Sequence, residues 1–193
     1  MSAVPNEKFG DLLDKLWEHL IAAQVHLDIW EQLRATADRE RLCDTYHGFF
    51  YWTRDAHIDR FVNKICVVTD TDPTQPSVEK LANMVLSHPD LAPGIDPKLL
   101  RERLDRHSEV AGQIRDVRNR RSSHWDLKRP PPQPDVAQAW ELVRELKGIL
   151  EDLANAHAPL PDGARRHFAL EPSGHSHTSY VLDTLTDALP KAR

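Results

Sequence analysis

Only two cysteines, Cys43 and Cys66, occur in 193 residues, too few for a disulfide framework. Both are expected on one helix over 39–69, where a rise of about 1.5 Å per residue sets them roughly 35 Å apart, beyond bridging reach. They read as reduced packing residues. Glycine is scarce, at seven, and no glycine-rich phosphate loop is present. No stretch approaches the roughly 18 apolar residues that span a membrane, and residues 1–14 lack the basic-then-apolar layout of a secretory signal. The expectation is therefore a soluble protein of the cytoplasm with no membrane contact. Metal-ligand spacing is lacking as well. His175-Ser176-His177 has Glu171 as its nearest acid and no cysteine or third histidine to complete a set, so it reads as solvated tail. His19 and His26 lie seven apart without the Glu-x-x-His of a di-iron bundle. No metal and no cofactor are expected.

What is present is helical periodicity. The length suits one domain, and no segment alternates convincingly with period two. The first helix is expected over 6–37, with Phe9, Leu13, Leu16, Leu20, Leu27 and Trp30 on one face. A second, over 39–69, carries Tyr46, Phe49, Phe50, Phe61 and Ile65, and stops before Pro73. A short third helix, 77–87, has Ser77 as N-cap. A fourth begins at Asp96-Pro97, cap and N1, and ends by Pro130-Pro131-Pro132. Its stripe is Leu100, Leu104, His107, Val110, Ile114 and Val117. A fifth, over 134–156, presents Trp140, Val143, Leu146, Leu150 and Leu153. These describe an all-α bundle of four long helices plus a short one, over residues 1–158. Residues 159–193 form a tail in which an amphipathic piece, 180–189, docks back on the bundle. The stripe of Trp17, Trp30, Phe49 and Trp140 reads as core rather than a base-stacking surface, and His107 as a hydrogen-bonded core histidine. His107 lies about 25 Å from His124 along one continuous helix, too far to share a site.

The net charge of −5 argues against a nucleic-acid track over the whole surface, but the charge is uneven. Arg115, Arg118, Arg120, Arg121, Lys128 and Arg129 face only Asp116 and Asp126 in their stretch. That is a local excess of four positive charges on a remainder of nine negative, which suggests a local phosphate site. Within it stands Arg118-Asn119-Arg120-Arg121-Ser122-Ser123-His124. Alone, such a pattern arises by chance in a few per cent of chains this rich in Arg and His; its bland reading is a solvated helix end. Its context is stronger. His124 continues Val110 and Val117 at a step of seven, Arg118 lies four beyond Ile114, and small Ser122 and Ser123 leave room for a backbone or ribose.

The Arg-Asn-x4-His motif, followed by Asp126, resembles the signature of HEPN domains. The long first helix with Trp17 and Trp30, the aromatic second helix with Phe49-Phe50, and the Asp72-Pro73 break before Ser77 are similar to the abortive-infection U-type members. The resemblance covers roughly residues 9–157. It implies two protomers paired about a two-fold axis, their Arg and His lining a cleft that cuts RNA without metal. Carried over, it makes Arg118 and His124 the catalytic pair and Asn119 their orienting neighbour, with Arg120, Arg121 and Ser123 on the substrate side. Histidine can take either proton role near neutrality, and arginine offers a charged fork to phosphoryl oxygens. The chain departs from the pattern at Ser123, where an apolar residue or alanine is common. It also departs at Trp125, where a basic residue is commoner, and at Asp126, where some toxins carry a tyrosine that a partner modifies. Two functions stay open: an RNA-cleaving toxin or anti-phage effector with an antitoxin-like partner encoded nearby, and a non-catalytic homodimer that binds RNA or nucleotide or scaffolds another protein.

Overall fold

A computed structural model describes residues 3–72, 74–123, 135–158 and 173–189, with side chains over 6–72, 74–120, 135–158 and 177–189. Among the described residues the chain is all-α, with eight α-helices and no strand. The helices are α1 (Ala3–Gln32), α2 (Ala37–Thr45), α3 (His47–Val68), α4 (Val78–Ser87), α5 (Pro97–Arg106), α6 (Ser108–Ser123), α7 (Val136–His157) and α8 (Ser173–Asp187).

The central rod is α1, and its expected stripe is the one it buries: Phe9, Leu16, Leu20 and Leu27 are fully enclosed, and Trp30 almost so. It lies most extensively against α3, then α7, α8 and α4. On α3 the buried set is Ile58, Phe61, Val62 and Ile65, the three-four spacing of a core-facing helix. From α7, Leu142, Leu146, Ile149 and Leu153 close the same core. Capping follows local chemistry. Ser77 accepts from Lys80 N at 3.2 Å, Asp96 accepts from Lys98 N at 2.8 Å ahead of Pro97, and Asp135 accepts from Gln138 N at 2.9 Å. Between α4 and α5, Pro93-Gly94 makes a turn closed by Ile95 N to Ala92 O at 3.2 Å. Gly94 takes φ 85° there, the left-handed value this turn type demands of its third residue.

Two expected helices are each broken. The span 39–69 is α2 and α3, which meet at Tyr46 with φ −113° and ψ 45°. The Thr45 hydroxyl bonds back to Arg41 O at 2.8 Å, and glycine follows at 48; both features weaken a continuous helix. Tyr46 and Phe49 consequently leave the core, with Phe49 67% exposed. Only Phe50 of that aromatic run is buried, in a small second cluster with Leu33, Leu42, Cys43, Leu182 and Leu189. The two cysteines therefore sit on separate helices. Both are free and buried, and burial pushes each thiol up. The span from 97 breaks at His107, which caps α5 as a half-buried junction residue and not as part of a continuous core stripe. Here the Ser108 hydroxyl donates to Asp105 O at 2.7 Å. The first helix also ends earlier than expected, at Gln32.

The packing of α5 on α7 yields a specific expectation. Arg103 of α5 donates to Glu145 at 2.6 Å and Asp152 at 2.8 Å, straddling about two turns of α7. Between those two acids is Gly148, where a Cβ would stand 3.1 Å from the Arg103 guanidinium. Alanine in place of a helical glycine usually stabilises by about 1 kcal/mol. Gly148→Ala should fall well short of that in the native background, because a guanidinium held by two carboxylates yields poorly. In an Arg103→Met background the full gain should appear. Urea unfolding of the four-member cycle measures the coupling; an equal gain in both backgrounds would remove this reading.

Candidate functional site

Residues 118–123 of the motif occupy the last turns of α6. Ala111, Ile114 and Val117 bury the inner face of this helix, and it rests mainly on α3, then α7. Arg118 follows Val117 by one residue, about 100° round the helix, so its side chain emerges at the edge of the buried face, half-buried. Its Nε and Nη2 both point at Asn119 Oδ1, at 3.4 and 3.3 Å. The neighbouring amide oxygen thus accepts from two nitrogens of the guanidinium fork. The Arg118 charge also reaches across to α3, where it and Arg115 oppose the effect of burial on the Cys66 thiol. One turn back, Arg115 donates to Thr71 Oγ1 at 3.3 Å and to Ala111 O at 3.4 Å, bracing α6 against the end of α3.

The other motif residues divide. Arg120 is exposed, and at two residues from Arg118 it points about 200° away. In one protomer it cannot grip the same phosphate as Arg118. For Arg121 and Ser123 the structure describes helical backbone only, as the last residues of α6. His124 lies outside the described residues, as do Trp125 and Asp126. Arg118 and Asn119 are therefore the pair seen together.

No group of three His, Cys, Asp or Glu side chains poised for a metal ion occurs among the described residues. Among the described residues no helix is long and apolar enough to cross a membrane. A shallow pocket of about 260 Å³ lined by Lys80, Asn83, Met84, Ser87 and His88 includes none of the motif residues.

Sequence reasoning passed over a second polar assembly, on α1 and α3. His26 Nδ1 stands 2.9 Å from His57 Nδ1, with ring centroids 5.0 Å apart and planes inclined at 50°. One antiparallel step along, Lys64 Nζ donates to His19 Nδ1 at 3.1 Å. The signal was there as two matching seven-residue steps, His19 to His26 and His57 to Lys64, each placing both members on one helical face. Desolvation holds His26 and His57 below the ordinary histidine value, and for His26 the neighbouring His57, Arg60 and Lys64 add to it. Desolvation and Lys64 lower His19, with Glu18 in opposition.

Comparison with known proteins bears on the motif end of α6. A family model for AbiU2, a group of HEPN domains, matches residues 6–172. No curated protein and no solved structure matches the chain.

Proposed function

Because this chain belongs to the AbiU2 family of HEPN domains, we propose that it is a metal-independent endoribonuclease acting on cytoplasmic RNA, as a toxin or abortive-infection effector. The carrying observation is the Arg118 fork, oriented by Asn119 at the edge of the buried face of α6. A planar guanidinium held this way can bind two phosphoryl oxygens and offset the charge that builds on a phosphorane.

In the reaction the ribose 2′-oxygen attacks the adjacent phosphorus, forming the O2′–P bond and breaking the P–O5′ bond. One histidine takes the 2′-hydroxyl proton, and a proton is delivered to the departing 5′-oxygen. His124 fits these roles by its chemistry near neutrality. Arg118 and His124 lie six residues apart, so on a continued helix they would differ by about 240° and 9 Å. A single protomer is poorly arranged to grip one phosphate. A two-fold pairing through α6 would bring a second Arg and His opposite and complete a composite site. The products are a 2′,3′-cyclic phosphate, or the 3′-phosphate it opens to, and a 5′-hydroxyl.

Purified protein incubated with total RNA should therefore cleave equally with and without EDTA and leave cyclic or 3′-phosphate ends. Loss of cleavage on chelation, restored by magnesium, would replace this mechanism with a metal-carboxylate one. A scaffold role has one observation in its favour. Tyr46, Phe49 and Trp52 at the start of α3 are all more than half exposed, the residue types that anchor protein partners. An antitoxin-like partner encoded nearby would instead support the nuclease.

A further inference from the structure

The seam between α1 and α3 concentrates basic nitrogens, and Glu18, acting on His19, is the carboxylate that opposes them. Lys64 carries three N–H groups and no acceptor, so its 3.1 Å contact makes His19 Nδ1 the acceptor and keeps that ring neutral. In the 2.9 Å contact between His26 and His57, one Nδ1 donates and the other accepts, so this pair holds one positive charge at most. Arg60, exposed on α3, stands in no ion pair among the described residues. It lies three residues from His57 and four from Lys64, beside both on the helix surface. The α3 carboxylates Asp55 and Asp59 are two residues either side of His57, so they point some 160–200° away from it. On α1, Glu18 is the acid that acts on His19, and Lys15 lies one turn before it. A chain of net charge −5 has carboxylates to spare, yet among the described residues neither Lys64 nor the His26–His57 pair is hydrogen-bonded to one. Two cations beside imidazoles repel a divalent metal and attract an oxyanion, which can accept from several N–H groups at once.

We propose that His19, His26, His57, Arg60 and Lys64 form a binding site for a phosphate-type oxyanion, on a different side of α3 from Arg118. Lys64 and Cys66, two residues apart, point about 200° away from each other, and Cys66 is the thiol that senses Arg118. The site stands whether or not the chain cleaves RNA. Its occupant accepts from Lys64 and Arg60 and favours protonation of the imidazoles that the empty seam keeps neutral. Anion uptake is thus coupled to proton uptake. The three histidines sit below their ordinary value of about 6.5, so the unfolded chain binds more protons than the folded one just beneath it. Their contribution to stability is complete above about pH 6.5 and is lost as pH falls through their lowered values. A bound anion opposes that loss.

The test uses the full chain and sulfate, whose charge is constant over the range, with chloride at matched ionic strength as control. Imidazole NMR resonances of His26 and His57 should shift saturably, with affinity about tenfold higher at pH 6 than at pH 8. Sulfate should also raise the melting temperature at pH 6 more than at pH 8. Lys64→Met should weaken binding at least tenfold; if it unfolds the chain, the exposed Arg60→Met takes its place. Inorganic phosphate and a non-cleavable 2′-O-methyl RNA oligomer identify the source. An oligomer that displaces sulfate makes the ligand an RNA backbone, whereas phosphate competing alone makes it a free anion. Shifts that never saturate, or that chloride reproduces, would overturn the proposal.

Discussion

Arg118→Ala and His124→Ala should each reduce RNA cleavage by about 10²–10⁴-fold, the range for losing a phosphate-charge stabiliser or a proton-transfer group. Stability should move little for Arg118→Ala, because the side chain is half-buried and its fork bonds Asn119, on the rim of α6. Arg118→Lys is the sharper probe. It keeps the charge but loses the planar fork, and should recover only a small part of the activity. Asn119→Ala should lie between, since the guanidinium keeps its charge while losing an acceptor that fixes its plane. If sites are shared between protomers, co-expressing the Arg118 and His124 variants should restore part of the activity. A single-turnover assay on a defined RNA gives the numbers. An unchanged rate for His124→Ala would end the nuclease reading and leave the binding or scaffold role.

The largest loss of stability is expected inside the bundle. Phe61 is fully enclosed on α3 within the main core. Phe61→Ala should destabilise by about 3–5 kcal/mol, from lost transfer free energy and the cavity left behind. Set against a total of about 5–15 kcal/mol for ordinary domains, that leaves the chain marginal at body temperature. Leucine at 61 should recover more than half of the loss. Urea midpoints with an unchanged slope would attribute the effect to the folded core; a loss below about 1 kcal/mol would mean that the core closes over the gap.

The fold class and the buried faces of α1 and α7 were legible because apolar side chains recur there every three or four residues. The N-caps at Ser77 and Asp96 were legible because a cap's chemistry is local. The breaks at Tyr46 and His107 were not, because periodicity survives a kink. A stripe reads as continuous through a residue whose backbone has left the helix, so Phe49 was assigned to a core that Phe50 alone enters. At the candidate site, the Arg118–Asn119 contact joins neighbours in the chain and could be read along one helix. The tie from Arg115 to Thr71, 44 residues away, and the meeting of His26 with His57, 31 away, depend on how two helices are laid side by side. A single helical pattern carries no such information.

The C-terminal helix α8 has a consequence for how this protein can diverge. Arg39 of α2 is nearly enclosed, and its guanidinium donates to Asp183 at 2.7 Å and to Ser179 at 2.7 Å, both on α8. The span matched by the family model stops at 172, one residue before α8 begins. A cation inside the family's own unit is thus neutralised by an anion outside it. Removing the acid while α8 stays in place would leave the Arg39 charge covered without its partner, which is unfavourable, whereas removing α8 altogether would return that charge to water. Homologues that keep both Arg39 and a helix laid over it should keep an acid opposite it, and those without such a helix are free to keep arginine at an exposed position. Where the helix is present, one contact thus links positions 144 residues apart in the chain.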